Sequence, residues 1–195
     1  MPQFSMETKT QQSQPVSSPP SRIGKGKRTQ SVRIDAAVYA ATRAHGEETY
    51  PDECCGVLLG RISGSEAWQI EAAVRASNAR ADAARNRYEI APAELVKIVR
   101  EARSLGLEIA GFYHSHPDHP AHWSLTDLAE AHWLGCCYVI TSVAHGKAAA
   151  TNSFLLTGES EEEKRFEQQA IELGDFYGAG KVVRPLGNNQ VVIPG

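Results

Sequence analysis

The sequence predicts an α/β sandwich with a mixed central sheet, because apolar strand-like runs alternate along the chain with segments of helical periodicity. The strongest strand signals are residues 54–62, 108–116 and 137–143, which are short and apolar. The strongest helix signal opens at Pro92, after which apolar residues recur at spacings of three and four. A hydrophobic content of 42% over 195 residues is enough for one such domain with tails.

Caps and turns place the other elements. Asp35 is positioned to cap a helix that ends before Pro51, and Ser-Gly-Ser at residues 63–65 is a turn between two hairpin arms. In chain order the predicted elements are a strand at 31–34, a helix at 35–48, a hairpin of 54–62 and 67–74, a helix from 91, a strand at 108–116, a helix at 124–133, strands at 137–143 and 149–156, and a helix at 159–173.

Composition divides the chain into three segments. Residues 1–30 are rich in Ser, Pro, Gln and Lys, so we expect a disordered N-terminal tail whose basic residues are solvated rather than bound to a partner. Residues 31–157 are expected to form the folded domain. Residues 158–195 are expected to be a C-terminal extension that is partly helical.

The bulk properties favour neither a nucleic-acid nor a membrane partner, and they leave the oligomeric state open. The net charge is only −3, and no apolar run approaches the roughly 18 residues of a membrane helix. The first residues lack a secretory signal, so the expected location is the cytoplasm. Cys54 and Cys55, like Cys136 and Cys137, are adjacent pairs. Their spacing fits buried thiols better than a disulfide framework or a zinc knuckle.

Two histidines at the end of a predicted strand indicate a metal site. His114 and His116 are two residues apart, so their imidazoles share one face of the strand, which Pro117 ends. A catalytic zinc typically has three protein ligands and one open position. Asp127, in the first turn of the helix that begins near Ser124, is the candidate third ligand.

Such a site also needs a proton acceptor, and Glu53 is the candidate. It stands directly before the apolar run from Cys54, where a charged residue is rarely buried without a purpose. The neighbouring Asp52 is the alternative base.

A simpler interpretation exists for part of this pattern. Ser124 and Asp127 alone favour a capping box at a helix start, and only the histidine pair upstream reverses that preference. His119, His122 and His132 are expected to be solvated rather than ligands, because three ligands already suffice.

The motif resembles that of the JAMM (MPN+) metalloprotease family, in its prokaryotic single-domain form. The stretch is His114-Ser115-His116-Pro117. Seven residues separate His116 from Ser124, and two separate Ser124 from Asp127, as in the family pattern. The upstream sequence PDECCGVLLG is similar to the family's segment around its catalytic glutamate. This resemblance implies a three-layer α/β/α sandwich related to the cytidine deaminases.

The resemblance also implies a role for each site residue. His114, His116 and Asp127 would bind one Zn²⁺ per chain, Glu53 would act as general base and acid, and Ser124 would donate a hydrogen bond to the developing oxyanion.

By the same resemblance, the expected activity is hydrolysis of a peptide or isopeptide bond at the C-terminal Gly-Gly tail of a small β-grasp protein, either ubiquitin-like or a sulfur carrier. Two alternatives stay open: a non-catalytic zinc-binding scaffold of the same family, and a deubiquitinase-like isopeptidase. A related DNA-repair branch fits less well, because Ser115 and Asp118 depart from its motif. A deaminase is disfavoured, because this sequence has no His-x-Glu followed by Pro-Cys-x-x-Cys.

Overall fold

In the part of the chain that the structure describes, one large mixed sheet is accompanied by three helices. A computed structural model describes residues 31–62, 67–80, 84–85, 87–176, 181–186 and 189–194, and the predicted tail over residues 1–30 lies outside them. The described elements are β1 (Ser31–Asp35), α1 (Ala36–Thr49), β2 (Cys55–Ile62), β3 (Trp68–Ala76), α2 (Pro92–Ser104), β4 (Glu108–Pro117), α3 (Leu125–Glu130), β5 (Cys137–Ala144), β6 (Lys147–Thr157), β7 (Arg165–Gly174), β8 (Lys181–Leu186) and β9 (Asn189–Pro194).

Seven of the strands close into a mixed barrel in the order β1-β7-β6-β5-β4-β2-β3, because β1 pairs with β7 on one side and with β3 on the other. The β1–β7, β1–β3 and β4–β5 pairs are parallel. The β8–β9 hairpin extends the sheet from β3. A three-layer α/β/α sandwich needs an open sheet with helices on both faces. The predicted cytidine-deaminase-like sandwich is therefore wrong, and the fold is a closed barrel with few helices.

The segment predicted as a helix over residues 159–173 contains the strand β7 instead. Its glutamates and glutamines are good helix formers, which misled the prediction. The backbone of β7 pairs with β6 along one edge and with β1 along the other, so tertiary pairing overrides local preference. This strand closes the barrel.

The other predicted elements are confirmed to within a few residues, except that α3 is shorter than the helix expected over residues 124–133. The predicted cap of α1 is also confirmed. The carboxylate of Asp35 accepts hydrogen bonds from the backbone N–H groups of Ala37 at 2.8 Å and Val38 at 3.4 Å. None of the described helices is long and apolar enough to span a membrane.

Alternation along the strands divides the buried apolar residues into two clusters. Val57 and Leu59 of β2 join a cluster that includes Ile98 of α2, whereas Leu58 between them joins a cluster that includes Val38 of α1. Adjacent side chains of one strand thus pack with different helices.

The cysteines follow the same rule. Cys136 belongs to the cluster with α2, and its neighbour Cys137 to the cluster with α1. All four cysteines are buried free thiols, as predicted, and burial raises the pKa of Cys54 and of Cys136 to about 12. These thiols are therefore protonated and unreactive at neutral pH.

A buried histidine joins α1 to β4. The Nδ1 atom of His45 lies 2.9 Å from the hydroxyl oxygen of Tyr113. Burial, assisted by the charge of Arg75, lowers the pKa of His45 from 6.5 to about 4. Between these two pH values the unfolded chain binds a proton that the folded chain does not bind, so acid favours unfolding.

We expect the free energy of unfolding to fall by about 2–3 kcal/mol between pH 7.5 and pH 4.5 through His45 alone. Urea unfolding over this pH range, compared between the wild type and His45→Gln, measures that contribution. The variant should lose correspondingly less stability in acid, because glutamine does not titrate. Equal pH dependence in the two proteins would contradict the assignment.

Candidate metal centre

Strand β4 presents two imidazoles to a single point. It is paired on both sides, with Cys55 of β2 and Ile140 of β5 opposite His114, which fixes its backbone. His114 and His116 are 2% and 8% exposed, and their Nε2 atoms lie 3.0 Å apart. As the spacing predicted, the two rings share one face of the strand.

The capping box at the start of α3 brings a carboxylate to the same point. The hydroxyl oxygen of Ser124 accepts from the backbone N–H of Asp127 at 3.1 Å, and the Asp127 carboxylate accepts from the backbone N–H of Ser124 at 2.6 Å. The Oδ1 atom of Asp127 lies 3.4 Å from Nε2 of His114, and its Oδ2 atom lies 3.5 Å from Nε2 of His116. The Asp127 carboxylate therefore both completes the helix cap and lies next to the two histidines.

The donor set of these three residues suits a zinc ion. One ligand atom from each of His114, His116 and Asp127 lies within 4.8 Å of the other two. Two imidazole nitrogens and a carboxylate are a common combination in catalytic zinc sites. Three electron-pair donors this close to one another also repel unless a cation, either a proton or a metal ion, lies among them.

Two of the three candidate ligands, His114 and Asp127, have the protonation state that metal binding needs. Burial lowers the pKa of His114, so its ring is neutral at physiological pH. Burial opposes the charge of Asp127, but the hydrogen bonds with His114 and His116 hold the pKa of its carboxyl group well below the usual range. The Nδ1 atom of His116 lies 3.0 Å from the carbonyl oxygen of Pro120. When Nδ1–H donates to that oxygen, the lone pair of Nε2 faces the centre.

The surroundings of the His114 ring are less polar than those of the His116 ring. The ring of Tyr88 stacks on it, with 4.6 Å between the ring centroids. Among the buried side-chain polar atoms of the described residues, Nδ1 of His114 is the only one without a hydrogen-bond partner.

Glu53 lies at the edge of this centre. It is only 7% exposed, and its backbone N–H donates to the carbonyl oxygen of Ala84 at 2.8 Å. Burial raises the pKa of its carboxyl group to about 7, while the charge of His116 lowers it and that of Asp127 raises it. A carboxyl group that titrates near neutrality can both accept and release a proton. Asp52, the alternative base, is exposed.

The remaining histidines stand apart from the group of three. His119 and His122 are exposed, and the His122 ring stacks on Trp123. His132 is also exposed and pairs with Glu161 at 3.2 Å.

A cavity of about 320 Å³ adjoins the centre, and the sequence analysis missed it. Tyr88 belongs both to its wall and to the stack on His114. Arg80 spans its rim, with ion pairs to Glu89 at 2.9 Å and to Glu130 of α3 at 3.5 Å. The rest of the lining is mostly apolar: Ile90, Leu95, Phe112, Trp133 and Tyr138, with His132. Residues 77–90 carry no periodic pattern, so no sequence signal pointed to this wall.

Comparison with known proteins was decisive for the family. The sequence pattern of the prokaryotic homologs of the JAB domain matches residues 35–157. This chain belongs to that family. The resemblance to the JAMM/MPN family found from the motif is thereby confirmed.

Individual proteins are also similar to this JAB-domain protein in sequence or in structure. A desampylase from Haloferax volcanii is 42% identical over 92 residues, which are 47% of this chain and 63% of the relative, so the chain matches less than two thirds of that protein. A solution structure of a protein from Desulfitobacterium hafniense has a TM-score of 0.62 at 26% identity, and one from Salinibacter ruber has 0.58 at 35%. Each comparison covers 74% of this chain and 93% of the other.

Two substitutions separate the two roles of Asp127. Asp127→Asn keeps an acceptor for the cap but removes the charge, so zinc affinity should fall at least about a hundredfold while the cap keeps its hydrogen bond. Asp127→Ala should in addition lower the free energy of unfolding by about 1 kcal/mol.

Zinc titration by calorimetry, and thermal unfolding in the presence of a chelator, measure the two effects. Asp52→Asn serves as the control, since Asp52 is an exposed acid outside the group. Unchanged zinc affinity in Asp127→Asn would assign the third ligand to another residue.

Proposed function

We propose that this chain is a zinc-dependent isopeptidase that cleaves at the C-terminal Gly-Gly tail of a small β-grasp protein, either ubiquitin-like or a sulfur carrier. The observation that carries the proposal is the convergence of His114, His116 and Asp127 beside a buried Glu53. Membership of the JAB family and similarity to a desampylase support an isopeptide bond to a ubiquitin-like modifier as the bond that is cleaved.

In this proposal His114, His116 and Asp127 hold one zinc ion per chain. When bound there, zinc supplies Lewis acidity, which polarises the scissile carbonyl group and makes water more acidic. The protein contributes a rigid ligand set, since two ligands lie on a doubly paired strand and the third is fixed by a helix cap.

Glu53 is the proton carrier of the reaction. Its carboxylate takes a proton from the attacking water as the bond from oxygen to the carbonyl carbon forms. The carboxylic acid then gives that proton to the departing amine as the carbon–nitrogen bond breaks. A pKa near 7 suits both transfers, and no described residue hydrogen-bonds its carboxyl group and thereby competes for the proton.

Ser124 is suited to stabilise the charge that develops on the carbonyl oxygen. Its oxygen accepts from the backbone N–H of Asp127, which fixes the position of the hydroxyl group. The hydroxyl hydrogen is left to donate, and the side chain is exposed to an incoming substrate.

The cavity beside Tyr88 is the proposed binding site for the substrate tail. Tyr88 belongs both to its wall and to the stack on His114, so a peptide bound along the cavity would lie next to the centre. The apolar lining suits apolar side chains that precede the Gly-Gly pair of the substrate tail.

Glu53→Gln should retain zinc but lose at least about a hundredfold in kcat, because the amide cannot accept a proton. Zinc content by elemental analysis and turnover of a modifier fusion measure these two quantities. Asp52→Asn is the matched control, with expected activity within about twofold of the wild type because the residue is exposed and lies outside the centre. Full activity in Glu53→Gln would remove Glu53 from the mechanism.

The substrate class is tested by incubating the zinc-loaded protein with small β-grasp carrier proteins extended beyond Gly-Gly, and by reading the products as intact masses. Cleavage after the second glycine of a carrier is the expected result, with loss of cleavage when those glycines are replaced by alanines. Linked ubiquitin is assayed in parallel. Cleavage of linked ubiquitin alone would favour the deubiquitinase alternative, and a tightly bound zinc without any cleavage would favour the scaffold.

A further inference from the structure

Ser115 lies between the two candidate ligands but faces the other side of β4. Its side chain is fully buried, and its hydroxyl oxygen accepts a hydrogen bond from the backbone N–H of Cys54 at 2.9 Å. The backbone N–H of Ser115 donates to the carbonyl oxygen of Cys54 at 3.2 Å. One residue of β4 thus holds both backbone polar groups of Cys54.

These two bonds stand where the regular β2–β4 pairing ends. The last ladder pair on this side is Cys55 with His114. In a regular antiparallel ladder, the next two residues would exchange two backbone hydrogen bonds. Here the backbone supplies one of them, and the hydroxyl oxygen of Ser115 supplies the acceptor for the other. The side chain therefore extends the pairing by one residue, to Cys54.

That extra residue is the one next to Glu53. The backbone N–H of Glu53 is bound to Ala84, and the peptide unit that follows Glu53 is bound by Ser115. Helix α1 closes the space behind Ser115, since a β-carbon added at Gly46 would lie only 3.1 Å from the β-carbon of Ser115. The serine has little room to move away from Cys54.

We propose that Ser115 is a positioning residue that fixes Glu53 relative to the histidine pair. Glu53 lies two residues before β2 and both imidazoles lie on β4, so the distance between them depends on how the start of β2 is joined to β4. Ser115 joins them at the residue between the two imidazoles. The inference rests on the proposed role of Glu53, and displacement of a catalytic group by about 1 Å is enough to cost about a hundredfold in rate.

The test compares Ser115→Ala with Ser153→Ala in the zinc-loaded protein. Ser153 is an equally buried strand serine, on β6, whose hydroxyl group donates to Gln169 at 3.4 Å. We expect Ser115→Ala to lower kcat at least about tenfold with KM within about twofold and zinc content unchanged, whereas Ser153→Ala keeps kcat. Hydrogen exchange at Cys54, followed without substrate, should accelerate only in Ser115→Ala.

Each outcome decides the matter. Equal losses of kcat in the two serine variants, or unchanged exchange at Cys54, would overturn the positioning role, as would loss of zinc from Ser115→Ala. Glu53→Gln, assayed in parallel, separates the two proposals. If Glu53→Gln is inactive while Ser115→Ala keeps full kcat, the positioning role alone fails. If Glu53→Gln is fully active, the proposed base fails.

Discussion

The alternation of side chains along β4 is the constraint on which the rest of the structure depends. The strand is paired on both sides, so its register is fixed and each residue has an assigned face. One face carries His114 and His116, and the other carries Tyr113 and Ser115 into the contacts with α1 and β2. A shift of one residue would exchange these faces, and it would disrupt both the candidate metal centre and the core.

Structural and chemical roles coincide at two further positions. Asp127 closes a helix cap while its carboxylate faces two imidazoles, and Ser115 extends a strand pair while it fixes the residue after the candidate base. A capping box and the proposed metal ligand are not alternatives here. The same hydrogen bonds that satisfy the backbone also orient the carboxylate, which would lower the entropic cost of the proposed metal binding.

The local parts of the site were predictable because they depend on short spacings. His114 and His116 share a face in any strand, and Ser124 with Asp127 forms a cap at any helix start. This part of the cavity wall was not predictable, since Tyr88 and Arg80 lie in a segment without periodicity. Tyr88 meets His114, and Arg80 meets Glu130 of α3, only through long-range contacts. The pKa of Glu53 was equally out of reach, because burial by distant segments is its main cause.

By itself, the sequence determined the elements from β1 to β6, apart from the length of α3, together with the family motif and the residues that converge on the centre. Only the tertiary structure decided whether the sheet stays open or closes into a barrel. The choice between an open sandwich and a closed barrel rests on β7 and on the two partners of β1, and backbone pairing between distant segments leaves no pattern in either segment. The site motif depends on residues that are near one another in the sequence, whereas closure of the barrel depends on pairing between strands that are far apart in the sequence.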